Sequence, residues 1–228
     1  MPVAIKVSSM IDHTKQAFFE SNDGGVILEP EELQAFDPFN PNRHILKVIQ
    51  TLEAYSSEDE KESRDTKFII EMCRAYPDIF NAHFYPGHIT GSALIVALTK
   101  REVLLHYHLS IGKWLQFGGH SEEEITPWQI AYREAIEETS LTDIKFFPAV
   151  QPPNPLDIDV HTISEHNGTP QHYHLDFRYL FLTKHPESVV ISSESREYRW
   201  VNFDAVDGMD LDYALRRLID KAKKTLYG

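Results

Sequence analysis

Residues 118–141, GGHSEEEITPWQIAYREAIEETSL, join a glycine pair, an acidic loop and a helix signal in one short stretch. Thr126 followed by Pro127 reads as an N-cap with proline at the first helical position, and Gln129 completes a Thr-x-x-Gln capping box. At about 100° per residue from Glu134, Glu138 falls near about 40° and Glu137 near about 300°, whereas Trp128, Tyr132, Ala135 and Ile136 fall between about 100° and 200°. The spacing predicts a helix with three carboxylates on the face opposite its core face. Like charges at i,i+3 and i,i+4 weaken an isolated helix by roughly a few tenths of a kcal/mol per pair, and a bound cation reverses that. Hard Mg²⁺ takes one or two protein carboxylates, with water and phosphate oxygens completing its shell. For the glutamate triplet alone, an ordinary solvated acidic face is the competing reading.

Upstream of this stretch the runs HITGSALIVALT, VLLHYH and KWLQFGG are β-type, broken by the turn-like TKRE and LSIG. Downstream come FFPAV, LDIDVHTI, QHYHLDFRYLFLT and REYRWVNF, and DLDYALRRLIDKAKKTL closes the chain as an amphipathic helix. Strands surrounding one central helix and a terminal helix predict an α/β sandwich with a mixed β-sheet over residues 86–228. Residues 1–85 form an N-terminal extension, of which residues 1–42 carry no readable function. Ile45, Leu46, Val48, Ile49, Leu52 and Tyr55, then Phe68, Ile69, Met72, Cys73 and Tyr76, recur at helical spacing, so a helical hairpin is expected over about residues 43–77. The charged stretch SSEDEKESRD between its halves reads as a solvated connection.

With 228 residues, 42% hydrophobic and 11% aromatic, the chain can bury a core of its own. Its net charge of −13 makes nucleic acid polymers and anionic membranes poor partners. A small phosphorylated ligand remains compatible, provided that a divalent cation and a few placed Arg or Lys side chains neutralise it. No apolar run approaches the roughly 20 residues that span a bilayer, and no signal peptide is visible, so a cytoplasmic protein is expected. Cys73 is the single cysteine, which excludes an intramolecular disulfide and a cysteine-based zinc site; it reads as a small buried hydrophobe.

Strand alternation places His172, His174, Asp176 and Arg178 on one face of QHYHLDFRY, and Asp157, Asp159 and His161 on one face of DIDVH. If the two strands pair, these groups converge; a solvated polar sheet face is the plainer reading of either strand alone. A histidine face of this kind suits a second metal, a phosphate contact or proton transfer. His120, beside Gly119, is a stronger candidate for the site than His106 or His108. Trp114 suits stacking on a base, or a place in the core.

The central stretch resembles the Nudix box, G-x(5)-E-x(7)-R-E-U-x-E-E-x-G-U with U aliphatic. Gly119, Arg133, Glu134, Ala135, Glu137, Glu138 and Leu141 occupy matching positions. GHITGSALIV, KWLQFGGH, DIDVH and HYHLDFRY further resemble a bacterial Nudix subfamily across roughly residues 43–205. The resemblance implies a Nudix-type α/β/α sandwich with a mixed β-sheet, preceded by the helical extension. It implies Mg²⁺, or Mn²⁺, held by Glu134 and Glu138, with Glu137 a further ligand or base, the Gly119 carbonyl an additional ligand, and Arg133 orienting the cluster. Two positions depart from the pattern. Ile125 replaces its first glutamate and Ser140 its glycine; a one-residue bulge in the loop would bring Glu124 into the vacant role, whereas a Glu124 pointing into bulk solvent would end that idea.

The expected reaction is hydrolysis of a nucleoside diphosphate linked to another moiety, by attack of metal-activated water on phosphorus. Glu137 or Glu138 serves the water, and Arg178 or Lys113 steadies the phosphates. The partner is a small nucleotide-derived substrate, and a homodimer is admitted. Two alternatives are a nucleoside triphosphate pyrophosphatase and a degenerate domain that senses a nucleotide without cleaving it, the latter motivated by Ile125. An isopentenyl diphosphate isomerase is disfavoured, because Cys73 lies outside the box.

Overall fold

The computed structural model describes residues 43–166 and 168–228; the expectation for residues 1–42 lies outside the described residues. The first β-type run forms β1 (Gly87–Ala97), whose every residue is buried, with apolar side chains throughout except for His88, Thr90 and Ser92 on one face. A strand buried on both faces belongs at the centre of a covered sheet. β1 pairs in parallel with β7 (His172–Thr183) and antiparallel with β2 (Glu102–His108) and β4 (Phe117–His120). β3 (Lys113–Leu115) and β8 (Ser195–Asn202) extend the sheet through β2, while β5 (Lys145–Phe146) and β6 (Asp157–Ile163) pair antiparallel with β7. The result is an eight-stranded mixed sheet.

Helices cover both faces. On one, α1 (Arg43–Ala54), α2 (Glu60–Ala75) and α3 (Pro127–Thr139) share a core with Ile89, Ala93, Leu175, Phe177 and Phe181. On the other, α4 (Tyr213–Tyr227) buries Leu215, Leu218, Ile219 and Ala222 against Leu94, Val96, Leu180 and Leu182. The helical hairpin of the extension is therefore built into the same core as α3.

Gly91 lets α3 sit directly on β1: a Cβ there would lie 2.3 Å from the Pro127 carbonyl oxygen and 2.7 Å from the Ala131 nitrogen. This contact, rather than hydrophobic patterning alone, sets the depth of the helix. Ile130 and Ala131 are buried on the turn beneath the glutamates, so the carboxylate face abuts the sheet instead of opposing it. At the helix end Ser140 takes the left-handed conformation (φ 56°, ψ 12°) that favours glycine, at a cost of about 1 kcal/mol.

Four details differ from expectation. Thr126 is the N-cap of α3, but its hydroxyl donates to the Gln129 side-chain oxygen at 2.7 Å, so the capping box does not form. KWLQFGG is split into β3 and β4, which pair with different neighbours. FFPAV contributes only the two residues of β5, since Pro148 has no N–H for a ladder.

The fourth concerns SSEDEKESRD, which is no solvated connection. Asp59 caps α2, accepting from the Glu62 N–H at 2.8 Å, and Glu62 is fully buried. β6 is an edge strand, and its free N–H groups need acceptors. Glu62 accepts from Ile158 N–H and Asp65 from Val160 N–H, both at 2.9 Å. Burial would raise the Glu62 carboxyl, but hydrogen bonds from Lys221, Ser57 and Tyr55 hold it below its ordinary range.

Candidate active site and histidine face

Helix α3 presents its glutamates to the glycine strand β4. A Cβ on Gly119 would lie 2.2 Å from Glu134 Oε1, so that carboxylate rests on bare backbone. Glu138, one turn on, is 5% exposed and accepts from the Gly118 N–H at 2.8 Å. Among the described residues it has no basic partner. Burial, with Glu134, Glu194 and Glu137 nearby and despite the Gly118 N–H, pushes its carboxyl up to about 8. Burial likewise raises the Glu134 carboxyl against the pull of Arg133.

Arg133 ties the rest together. Its guanidinium pairs with Glu134 at 3.1 Å, with Glu137 at 2.7 Å and with Glu124, and donates to the His120 carbonyl at 2.6 Å. Glu124 is thus turned onto the acidic cluster, its side chain 14% exposed, and also accepts from the Glu122 N–H at 2.8 Å. Glu137 is the outermost of the three helix glutamates, at 53% exposure. The sequence offered no sign of Glu194, on the loop before β8, yet its charge bears on both Glu134 and Glu138. The donors are all oxygen and carry several negative charges, a chemistry that suits a hard divalent cation such as Mg²⁺.

The polar strand faces do converge, and a third strand joins them. β6, β7 and β1 align His161 with His174 and His88, Asp159 with Asp176 and Thr90, and Asp157 with Arg178 and Ser92. The Asp and Arg rows form a closed, buried network. Arg178 reaches Asp176 at 2.9 Å, Asp159 at 3.0 Å and Asp157 at 3.4 Å, while Arg217 of α4 brackets Asp157 at 2.8 Å. Asp176 also accepts from Thr90 and Ser92. Burial alone would raise the Asp159 carboxyl, but His161, Arg178 and Lys61 hold it well below its usual range. Arg178 and Asp176 therefore sit inside the sheet's support, away from a surface that a phosphate could reach.

The histidine rows lie at the strand ends. His120 Nε2 is 3.0 Å from His174 Nε2, and the His88 ring lies 5.0 Å from that of His120 and 5.1 Å from those of His172 and His174. His172 Nδ1 lies 2.8 Å from the Pro170 carbonyl, and His161 Nδ1 lies 3.1 Å from Asp159. Burial and mutual repulsion drive the His88 ring down to about 4 and the His174 ring to about 2, so both are neutral at physiological pH. Because His120 pairs with Thr90 and Gly119 with Gly91, alternation puts the imidazoles on the opposite face of β4 from Glu134. His88 was missed in the sequence, although the alternation of His88, Thr90 and Ser92 with Ile89, Gly91 and Ala93 marks a polar face.

Of the remaining candidates, Lys113 is exposed on the short strand β3. Trp114 packs on the cluster that buries α4, across the sheet from α3, with the Arg199 guanidinium 4.6 Å over its ring. It is not brought to the carboxylates.

An α/β/α sandwich with an acidic helix seated on a glycine strand defines the class by its architecture: a mixed-sheet α/β domain with oxygen donors where the helix meets the sheet. A family model described as NUDIX domain matches residues 89–222, and the chain belongs to the Nudix family. Among solved structures it is similar to a NUDIX-family hydrolase from Clostridium perfringens, at 26% identity over 61% of this chain and 95% of that one, with a TM-score of 0.45. It is also similar to the E. coli dihydroneopterin triphosphate pyrophosphohydrolase (18% identity, 58% and 92% covered, TM-score 0.45) and to a C. elegans Ap4A hydrolase (20%, 60% and 96%, TM-score 0.44). No curated protein matches the sequence. Among the described residues no helix is long and apolar enough to cross a membrane.

Proposed function

We propose that the chain hydrolyses the phosphoanhydride of a nucleoside diphosphate linked to another moiety, using Mg²⁺ held by Glu134 and Glu138. The observation that carries this reading is the buried Glu138 carboxyl, which sits beside Glu134 with no basic partner among the described residues. A buried acid in that state is strongly disfavoured as an anion unless a cation joins it. When bound, magnesium supplies the charge that neutralises phosphate oxygens and lowers the pKa of the attacking water.

The chain's own groups do the rest. Glu134 and Glu138 would hold the cation, with the Gly119 carbonyl a further candidate ligand. Arg133 fixes Glu137 and Glu124, and Glu124 takes the place that Ile125 leaves vacant. Glu137, the exposed carboxylate, accepts the proton as the water oxygen bonds to phosphorus and the bridging oxygen departs with the leaving phosphate. Lys113 is a candidate phosphate contact from the sheet edge.

A panel of nucleotide sugars, dinucleotides and nucleoside triphosphates, assayed with Mg²⁺ and with Mn²⁺, tests the reading. A nucleoside monophosphate released from a linked diphosphate supports it. Pyrophosphate released only from triphosphates would make the protein a triphosphate pyrophosphatase instead. Tight metal-dependent binding with no product from any class would make it a sensor.

A further inference from the structure

We propose that His88, His120 and His174 form a second metal site, taking one divalent transition cation of the zinc class on the face of the sheet opposite the carboxylate helix. One ligand nitrogen from each of the three lies within 4.8 Å of the other two. Zn²⁺ binds imidazole nitrogen at about 2.0–2.1 Å, which places two ligands of a tetrahedron about 3.3 Å apart. The 3.0 Å between His120 Nε2 and His174 Nε2 already approximates that spacing, and the His88 nitrogen, within 4.8 Å of both, has at most about 1.5 Å to travel.

His88 separates this site from a mere hydrogen-bonded pair. Its ring is 1% exposed, Nδ1 lies 3.3 Å from the Phe84 carbonyl, and Nε2 is buried with no partner. A carbonyl only accepts, so Nδ1 carries the proton and Nε2 keeps its lone pair. A buried acceptor left alone is unfavourable, and a cation beside it removes that cost. Donation of the second ring nitrogen to a backbone carbonyl is also how metal-bound imidazoles are commonly oriented.

The three ligands come from β1, β4 and β7; β1 and β7 run parallel from Gly87 to Ala97, and β4 is held to β1 from Phe117 to His120, so each ligand is carried by a paired strand. The donor type decides the ion. Imidazole suits zinc-class cations, whereas Mg²⁺ prefers oxygen and suits the carboxylates across β4. Three protein ligands leave a fourth position open, the arrangement of zinc sites that bind water or an anionic ligand oxygen. A phosphate contact through the histidine face would then run through this cation.

The full-length protein should be stripped with a chelator, loaded with Zn²⁺ or Co²⁺ in the presence of excess Mg²⁺, dialysed, and its metal content measured by mass spectrometry. The wild type is expected to retain about one equivalent, with the Co²⁺ form showing the intense visible absorption of a four-coordinate nitrogen site. Glu138→Gln should retain the same amount. His120→Gln and His174→Gln, checked for native circular dichroism, should bind at least about tenfold more weakly. Any of three results overturns the proposal: no retention by the wild type, undiminished retention in both folded histidine variants, or loss in Glu138→Gln equal to that in the histidine variants. If neither histidine variant folds, the Co²⁺ spectrum of the wild type decides, since the weak absorption of a six-coordinate oxygen site also overturns it.

Discussion

Gly119→Ala separates catalytic geometry from fold stability. The added Cβ would stand 2.2 Å from Glu134 Oε1, whereas ordinary contact begins at 3.4 Å, so the carboxylate must retreat by about 1 Å. The obstructing atom is the end of a flexible side chain, and Gly119 has no left-handed φ to forbid alanine. Stability should therefore change by less than about 1 kcal/mol, or a Tm shift of no more than roughly 2–4 °C for a chain of this size. Activity should not escape so lightly. A displacement of about 1 Å in a positioning group can cost roughly 100-fold in rate, and that loss is expected in kcat on whichever substrate the wild type cleaves. Gly91→Ala is the contrasting case, because its Cβ meets the α3 backbone; destabilisation of about 1–3 kcal/mol is expected there. Turnover and thermal melts of both variants would check the pair. Wild-type turnover in Gly119→Ala would refute the placement of Glu134 against the strand, and unfolding of the variant would refute the expectation that the Glu134 side chain yields cheaply.

Arg178→Ala should leave Asp157, Asp159 and Asp176 buried without their shared cation, costing about 3–5 kcal/mol and lowering Tm by roughly 6–20 °C; a stable variant with only a raised KM would return Arg178 to the substrate. The His106 ring, driven to about 4 by burial and the nearby His108, is neutral when folded, accepting at Nδ1 from Ser195 and donating from Nε2 to the Gln116 carbonyl. Its folded pKa lies below the ordinary 6.5, so the unfolded chain binds the proton first, and stability falls as pH drops from 6.5 towards 4. His106→Gln should remove about 3 kcal/mol of that decline. Chemical denaturation at stepwise pH measures it, and parallel curves for the two proteins would contradict it.

Much of this was legible because it is local. The helix from Pro127, its N-cap residue and its glutamates, and the alternation in β6 and β7 are each written within a dozen residues. What escaped depends on partners far along the chain. His88 joins His174 only through the parallel pairing of β1 with β7. Glu62 looked solvated because charge runs usually are, and nothing local says that an edge strand 96 residues later needs its acceptor. Arg178 resembled a phosphate ligand because charge is visible in a sequence and its enclosure by three carboxylates is not. Ile130 and Ala131 share the glutamate side of α3, and only the Gly91 contact reveals that this side meets the sheet.

The central claim is that Glu138 holds the cation on which hydrolysis depends. Its most direct test is a Mg²⁺ titration of turnover for the wild type and Glu138→Gln, on a substrate the wild type cleaves, with melting curves confirming that both are folded. The variant should need far more Mg²⁺ and should lose roughly 100-fold or more in kcat. A folded Glu138→Gln with wild-type turnover and an unchanged Mg²⁺ midpoint would contradict the account.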